Sequence, residues 1–170
     1  MIFYFSGTGN SKRVAQCLAR ATGESCVSMA DCMNKGEFSF SLCKEERAGF
    51  VTPVYFWGLP DIVVRFVRQL NLTALHRNFI YHVVTFGTTT GQAHYMMQEL
   101  LKRKGLWLDA KYNARMVDVW TPIFDVSDHG KCLRKTEEAE KSIAKIAERA
   151  VARKAGNFDY LRLPHWLAHW

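Results

Sequence analysis

A six-residue run, Ser6-Gly7-Thr8-Gly9-Asn10-Ser11, constrains this chain more than any other feature. It follows a short, wholly apolar stretch at 2–5 and opens a segment in which Val14, Leu18 and Ala21 recur at helical intervals. A buried strand, a glycine turn and a helix start in that order suit the holding of a phosphate. Glycines admit close backbone approach, loop and first-turn N–H groups point inward, and the helix dipole favours an anion. Lys12 stands where a Walker A loop counted from Gly7, and a dinucleotide fingerprint counted from Gly9, would each need glycine, so both are excluded. With no basic side chain inside the run, the expected ligand is a phosphomonoester held mainly by neutral donors. A purely structural strand-to-helix turn is the competing use.

The rest of the chain repeats this pairing. Apolar runs predict strands at 25–29, 49–54, 79–86 and, broken, at 106–119. Helical spacing predicts a first helix closed by Gly23 and others at 60–70, 92–104 and 132–154, while 30–47 reads as loop and irregular structure. Such alternation predicts an α/β fold: an open parallel sheet with helices on both faces. A chain of 170 residues makes one domain, and 48% apolar with 23% charged residues is globular composition. No run approaches the roughly 20 apolar residues that span a bilayer. MIFYFSGTGNSKR lacks a basic start and a long apolar core, so no signal peptide is expected and the protein is expected to be soluble and cytoplasmic. Cys17, Cys26, Cys32, Cys43 and Cys132 form an odd set without a C-x-x-C pair, which reads as reduced thiols rather than a disulfide framework or a metal site. The net charge is +7, and residues 131–170 hold nine bases against five acids. No aromatic–basic interleaving accompanies these charges, so a nucleic-acid partner is not expected.

Ser6-x-Thr8-Gly9-Asn10-Ser11 after a strand resembles the phosphate loop of the flavodoxin family. With Pro53-Val54-Tyr55-Phe56-Trp57-Gly58-Leu59-Pro60 after the third strand, MIFYFSGTGNS is most similar to the flavodoxin-like domain of bacterial flavodoxin–ferredoxin fusion proteins. The resemblance implies a three-layer sandwich with a five-stranded parallel sheet of order 2-1-3-4-5, and non-covalent FMN beyond the carboxyl ends of strands 1, 3 and 4. It covers residues 1–155, leaving an aromatic tail or linker remnant at 156–170, which either packs on the domain or docks elsewhere. Cofactor contacts are then expected from Ser6, Gly7, Thr8, Gly9, Asn10 and Ser11; from Thr52, Pro53, Val54, Tyr55, Phe56, Trp57 and Gly58; and from Phe86, Gly87, Thr88, Thr89 and Gly91. Three aromatics in a row at 55–57 exceed what a core needs, and Trp57 or Tyr55 is the expected plate against a flat ring. Alone, 86–91 also reads as a glycine-bounded turn; beside the other two loops it reads as a ligand loop.

Other candidates have plainer readings. His94 and Tyr95 are expected at the surface or rim, and Asp61 as a first-turn helix residue. Lys102-Arg103-Lys104 is a solvated face, and His165 with His169 lacks a third metal ligand nearby. No catalytic or metal residue is assigned. The expected function is an FMN-binding carrier of electrons between redox partner proteins, such as an acidic ferredoxin or a reductase. An NAD(P)H-dependent FMN or quinone reductase and a flavin-free interaction module are the alternatives. The chain departs from the family in being basic where flavodoxins are usually acidic, and in carrying no C-x-x-C-x-x-C-x-x-x-C-P cluster. Because reduced FMN is anionic, fewer acids nearby imply a raised potential.

Overall fold

The computed structural model describes residues 1–74, 78–116 and 129–159, without the side chains of 129–136. The elements run β1 (Ile2–Tyr4), α1 (Asn10–Thr22), β2 (Cys26–Ser28), α2 (Met29–Lys35), β3 (Ser39–Leu42), β4 (Ala48–Pro53), α3 (Asp61–Gln69), β5 (Asn71–Ala74), β6 (Ile80–Phe86), α4 (Ala93–Lys102), β7 (Ala110–Arg115), α5 (His129–Val151) and β8 (Gly156–Asn157). The main sheet is parallel throughout, in the order β2-β1-β4-β6-β7-β8. Its first five strands reproduce the expected 2-1-3-4-5 order. β8 is a sixth, which a two-residue stretch of glycine and asparagine does not announce. Thus the stretch expected as a tail opens with an edge strand; its part from 160 onward, with His165 and His169, lies outside the described residues.

Two cores form on the two faces of the sheet, as parallel strands covered on both sides require. Along β6 all seven residues are buried. Tyr81 and Val83 face α1 and α5, where they meet Val14, Leu18, Ile143 and Ile146. Ile80, Val84 and Phe86 face the other way, against Val63 and Phe66 of α3 and Met97 and Leu101 of α4. Phe3 and Phe50 stack at 5.3 Å within that second core. Burying each such side chain stabilises the fold by about 1.5–3 kcal/mol.

Three expectations need correction. Residues 30–47 are not irregular: α2 starts where the Asp31 amide donates to Ser28 Oγ (3.2 Å) and ends at left-handed Gly36, and β3 pairs in parallel with β5 as a separate two-stranded sheet. Ala21 does not face inward; it is exposed, and Ala15 fills that face of α1. His94 is not a surface residue but only 3% exposed, because the first turn of α4 packs down onto β6 and β7.

His94 Nε2 lies 3.0 Å from Asn113 Oδ1, and its ring meets that of His82 edge-on at 4.7 Å. His82 is fully buried, with Nε2 2.9 Å from Thr52 Oγ1. Asn113 Nδ2 donates to Asp159, so Asn113 Oδ1 accepts from His94 and the proton of that imidazole sits on Nε2. Burial pushes the pKa of His82 well below its ordinary value, and pushes that of His94 down to about 4 against the opposing pull of Asn113 and Asp159. Both rings are therefore neutral in the folded chain. In the unfolded chain each binds a proton near pH 6.5, so stability is complete above that pH and is lost as pH falls from 6.5 toward 4. Urea unfolding at pH 5.5 is expected to give about 2–3 kcal/mol less stability than at pH 7.5, and His94→Gln to remove about half of that difference. A flat profile would contradict the neutral buried pair.

Candidate functional site

β1 is where the chain reverses direction across the sheet. It leaves toward β2 on one side and returns to β4 on the other, so the loops leaving β1 and β4 diverge and open a crevice above their carboxyl ends. Three loops converge there. The first follows β1. Ser6 Oγ accepts from the Gly9 amide (3.0 Å), and Gly9, at φ +98°, turns the chain into α1. Residues 7–9 are exposed, α1 has no acidic residue in its first turn, and Gly9 as N-cap brings no side chain to its amides. Loop and helix start thus present donors outward, an arrangement that suits an anion. The hydroxyl of Ser11 turns the other way, into the core, to bond Thr85 Oγ1 at 2.7 Å. It anchors the helix start to β6 instead of facing the crevice.

The second loop is a two-residue hairpin turn. Tyr55 and Gly58 exchange both backbone hydrogen bonds at 3.0 Å, with Phe56 and Trp57 at the centre at φ 46° and 61°. Two positive values make this a type I′ turn, a geometry that normally selects Asn-Gly. Placing aromatic residues there costs about 1–2 kcal/mol each. The conformation holds all three aromatics out of the core: Tyr55 is 42% exposed, Trp57 51% and Phe56 95%. Tyr55 packs its ring edge-on to Phe5 and brings its hydroxyl over Gly7, where a Cβ would come within 2.4 Å. Thr52 belongs to β4 itself and spends its hydroxyl on His82; Pro53 and Val54 complete the strand end beneath the turn.

The third loop, 87–91, follows β6, whose last residue Phe86 is buried. Thr88 is exposed, and Thr89 Oγ1 accepts from the Gly91 amide at 3.1 Å. The loop is tied to the aromatic turn by the Gln92 amide, which donates to Trp57 O at 2.7 Å. Gly91 makes this approach attainable: its φ is +55°, and a Cβ would sit 2.1 Å from Trp57 O. Behind the loop, Thr90 Oγ1 donates to Asp159 at 2.8 Å and Arg115 Nε donates to Gly87 O at 3.0 Å. Neither brace was expected from the sequence. Arg115 ends a strand of weak pattern, and Asp159 lies about 70 residues away along the chain.

The crevice therefore gathers 6–10, 55–58 and 87–91, while the side chains of Ser11, Thr52 and Phe86 lie beneath it. Among the described residues no cluster of His, Cys, Asp and Glu has metal-site geometry, and no helix is long and apolar enough to cross a membrane.

The family described as Flavodoxin domain matches residues 1–131. The chain belongs to the flavodoxin family. Among solved structures, it is similar to an azoreductase from Bacillus anthracis at 10% identity and a TM-score of 0.58, covering 89% of this chain and 98% of that one. The Trp repressor binding protein from Bacillus subtilis shares 13% identity at a TM-score of 0.54, with 87% and 95% covered. An FMN-dependent NADH-azoreductase from Bacillus anthracis, solved in complex with FMN, shares 9% at 0.52, with 88% and 98% covered. At these identities the likeness concerns the fold. Comparison with curated proteins returns no match.

Since Gly91 has no room for a side chain, Gly91→Ala is expected to lose about 2 kcal/mol in urea unfolding by forcing the 87–91 loop off the aromatic turn. A loss below about 0.5 kcal/mol would show that this contact does not hold the loops together.

Proposed function

We propose that the chain binds FMN non-covalently in this crevice and carries electrons between redox partner proteins. The observation that carries the reading is the convergence, at the switch point of a flavodoxin-family sheet, of an open helix start, an exposed aromatic turn and a glycine-bounded hydroxyl loop. The donor set fits the cofactor. The loop at 6–10 offers amides and the neutral groups of Ser6, Thr8 and Asn10 to a phosphate monoester. Tyr55 and Trp57 offer plates for a flat ring, and the 87–91 loop offers backbone hydrogen-bonding groups to its polar edge. Ser11, Thr52, Pro53, Val54 and Phe86 hold these groups in place from below. When bound, FMN supplies the electron chemistry; the protein's part is to orient it, shield one face and tune its charge surroundings.

An enzyme reading, as an NAD(P)H-dependent FMN or quinone reductase, draws on one observation. An open groove of about 630 Å³, lined among others by Asn113, Lys141, Lys145, Arg149 and Asp159, lies beside β7 and α5. It adjoins the flavin loops through Asp159, and its volume lies in the range of small-molecule sites. Steady-state oxidation of NADH or NADPH with a quinone separates this reading from the carrier.

Purified protein mixed with FMN is expected to quench flavin fluorescence stoichiometrically. Asn10→Asp places an anion where the phosphate binds while suiting the helix dipole. It is therefore expected to weaken FMN at least about tenfold without lowering the stability of the apoprotein. Unchanged binding by that variant would overturn the site assignment. No uptake by the parent chain would favour a flavin-free interaction module.

A further inference from the structure

The three loops around the crevice contain no ionised side chain: 6–11, 52–58 and 86–91 hold only apolar, hydroxyl, amide and glycine residues. Among the described residues, charge reaches the 87–91 loop from the elements that brace it. Arg115 is the last residue of β7, directly beside Phe86 in the parallel register, and its Nε donates to Gly87 O at 3.0 Å. That bond holds a guanidinium cation against the first residue of the 87–91 loop. The opposite charge, Asp159, is held further along the same loop by Thr90 and is also bonded to Asn113.

We propose that Arg115 sets the stability of the reduced cofactor, acting as a positioning residue through Gly87 and as a cation held beside the 87–91 loop. The inference rests on the FMN reading above. Two electrons from a partner protein, or from dithionite in a test, together with one proton from solvent convert neutral-ring FMN into an anion. The oxidised ring carries no such charge, so a cation beside the loop favours the reduced form alone. The guanidinium is exposed, so the preference is modest, about two- to fivefold in the ratio of the two dissociation constants. That ratio corresponds to about 10–20 mV in the two-electron potential.

The test compares the parent chain with Arg115→Gln and Arg115→Lys. Dissociation constants are measured for oxidised FMN by fluorescence quenching and for dithionite-reduced FMN by anaerobic titration. Folding of each variant is checked by circular dichroism. Arg115→Gln keeps a donor for Gly87 O but loses the charge. It is expected to bind oxidised FMN within about twofold of the parent and reduced FMN two- to fivefold more weakly. Arg115→Lys keeps the charge and is expected to retain the parent ratio. The Gln effect is expected to shrink in 1 M salt, where the screening length falls to about 3 Å. An unchanged ratio in Arg115→Gln overturns the proposal, as does an equal loss in both variants, which would assign the role to bracing alone. A parent chain that takes up no FMN overturns the cofactor reading and this inference with it; a parent that binds normally beside variants of unchanged ratio overturns only the inference.

Discussion

Parallel pairing of β1 with β4 is the constraint on which the rest of the structure depends. Parallel strands can be joined only through crossovers, so every strand of the main sheet ends at the same edge and every following loop opens there. The chain runs from β1 outward to β2 and then returns past β1 to β4, so the loops leaving the neighbouring strands β1 and β4 part. The pairing itself is tight. The Phe5 amide reaches Val51 O at 3.1 Å, and Gly49 opposite Ile2 leaves room for the ring of Tyr81, which a Cβ would meet at 2.6 Å. Gly49 is therefore a packing residue in the middle of β4, and the crevice lies at the carboxyl end of the strand pair it helps to close.

Much of this was legible in the sequence because the decisive elements are regular. β1 is a continuous apolar run and β6 nearly one, broken only by His82 and Thr85, as strands buried on both faces tend to be. α1 shows its buried stripe through Val14 and Leu18, and its end through Gly23, which is left-handed at φ 74°. The loop at 6–10 stands out in the sequence through its hydroxyl, amide and glycine residues. What was not legible depends on contacts made at a distance. β3 and β5 are four-residue strands of half-polar composition that pair with each other and reach the core only through Phe40, Leu42 and Leu72, contacts made far along the chain. β8 exists because Gly156 and Asn157 find the open edge of β7. His94 looks like a rim residue until Asn113 and His82 are seen to close around it. The turn at Phe56-Trp57 contradicts the local preference of both residues, and no propensity argument finds a type I′ turn there.

That contradiction is informative. Locally unfavourable backbone persists where surrounding structure over-determines it. Here the Tyr55–Gly58 bond pair, the Gln92 amide on Trp57 O and the Leu59 amide against Met96 Sδ at 3.5 Å fix the turn from within, from the side and from below. The strain stabilises nothing by itself. Its structural consequence is to keep three aromatic rings out of a core that would otherwise bury them, with Tyr55 set over the 6–10 loop.

Charge is separated from contact in the same spirit. The net +7 is weighted toward residues 131–170, whereas the crevice is built from neutral donors and rings. Oriented amides and hydroxyls suit an anion without adding a fixed charge of their own. Among the described residues, two charged groups brace the site through its scaffold: Arg115 through the carbonyl of Gly87, Asp159 through the hydroxyl of Thr90. A substitution at either can shift the electrostatics of the crevice while leaving most of its direct donors in place, so binding and redox tuning can vary independently. In this basic chain the crevice itself is neutral, and the charges that brace it are set one residue further out.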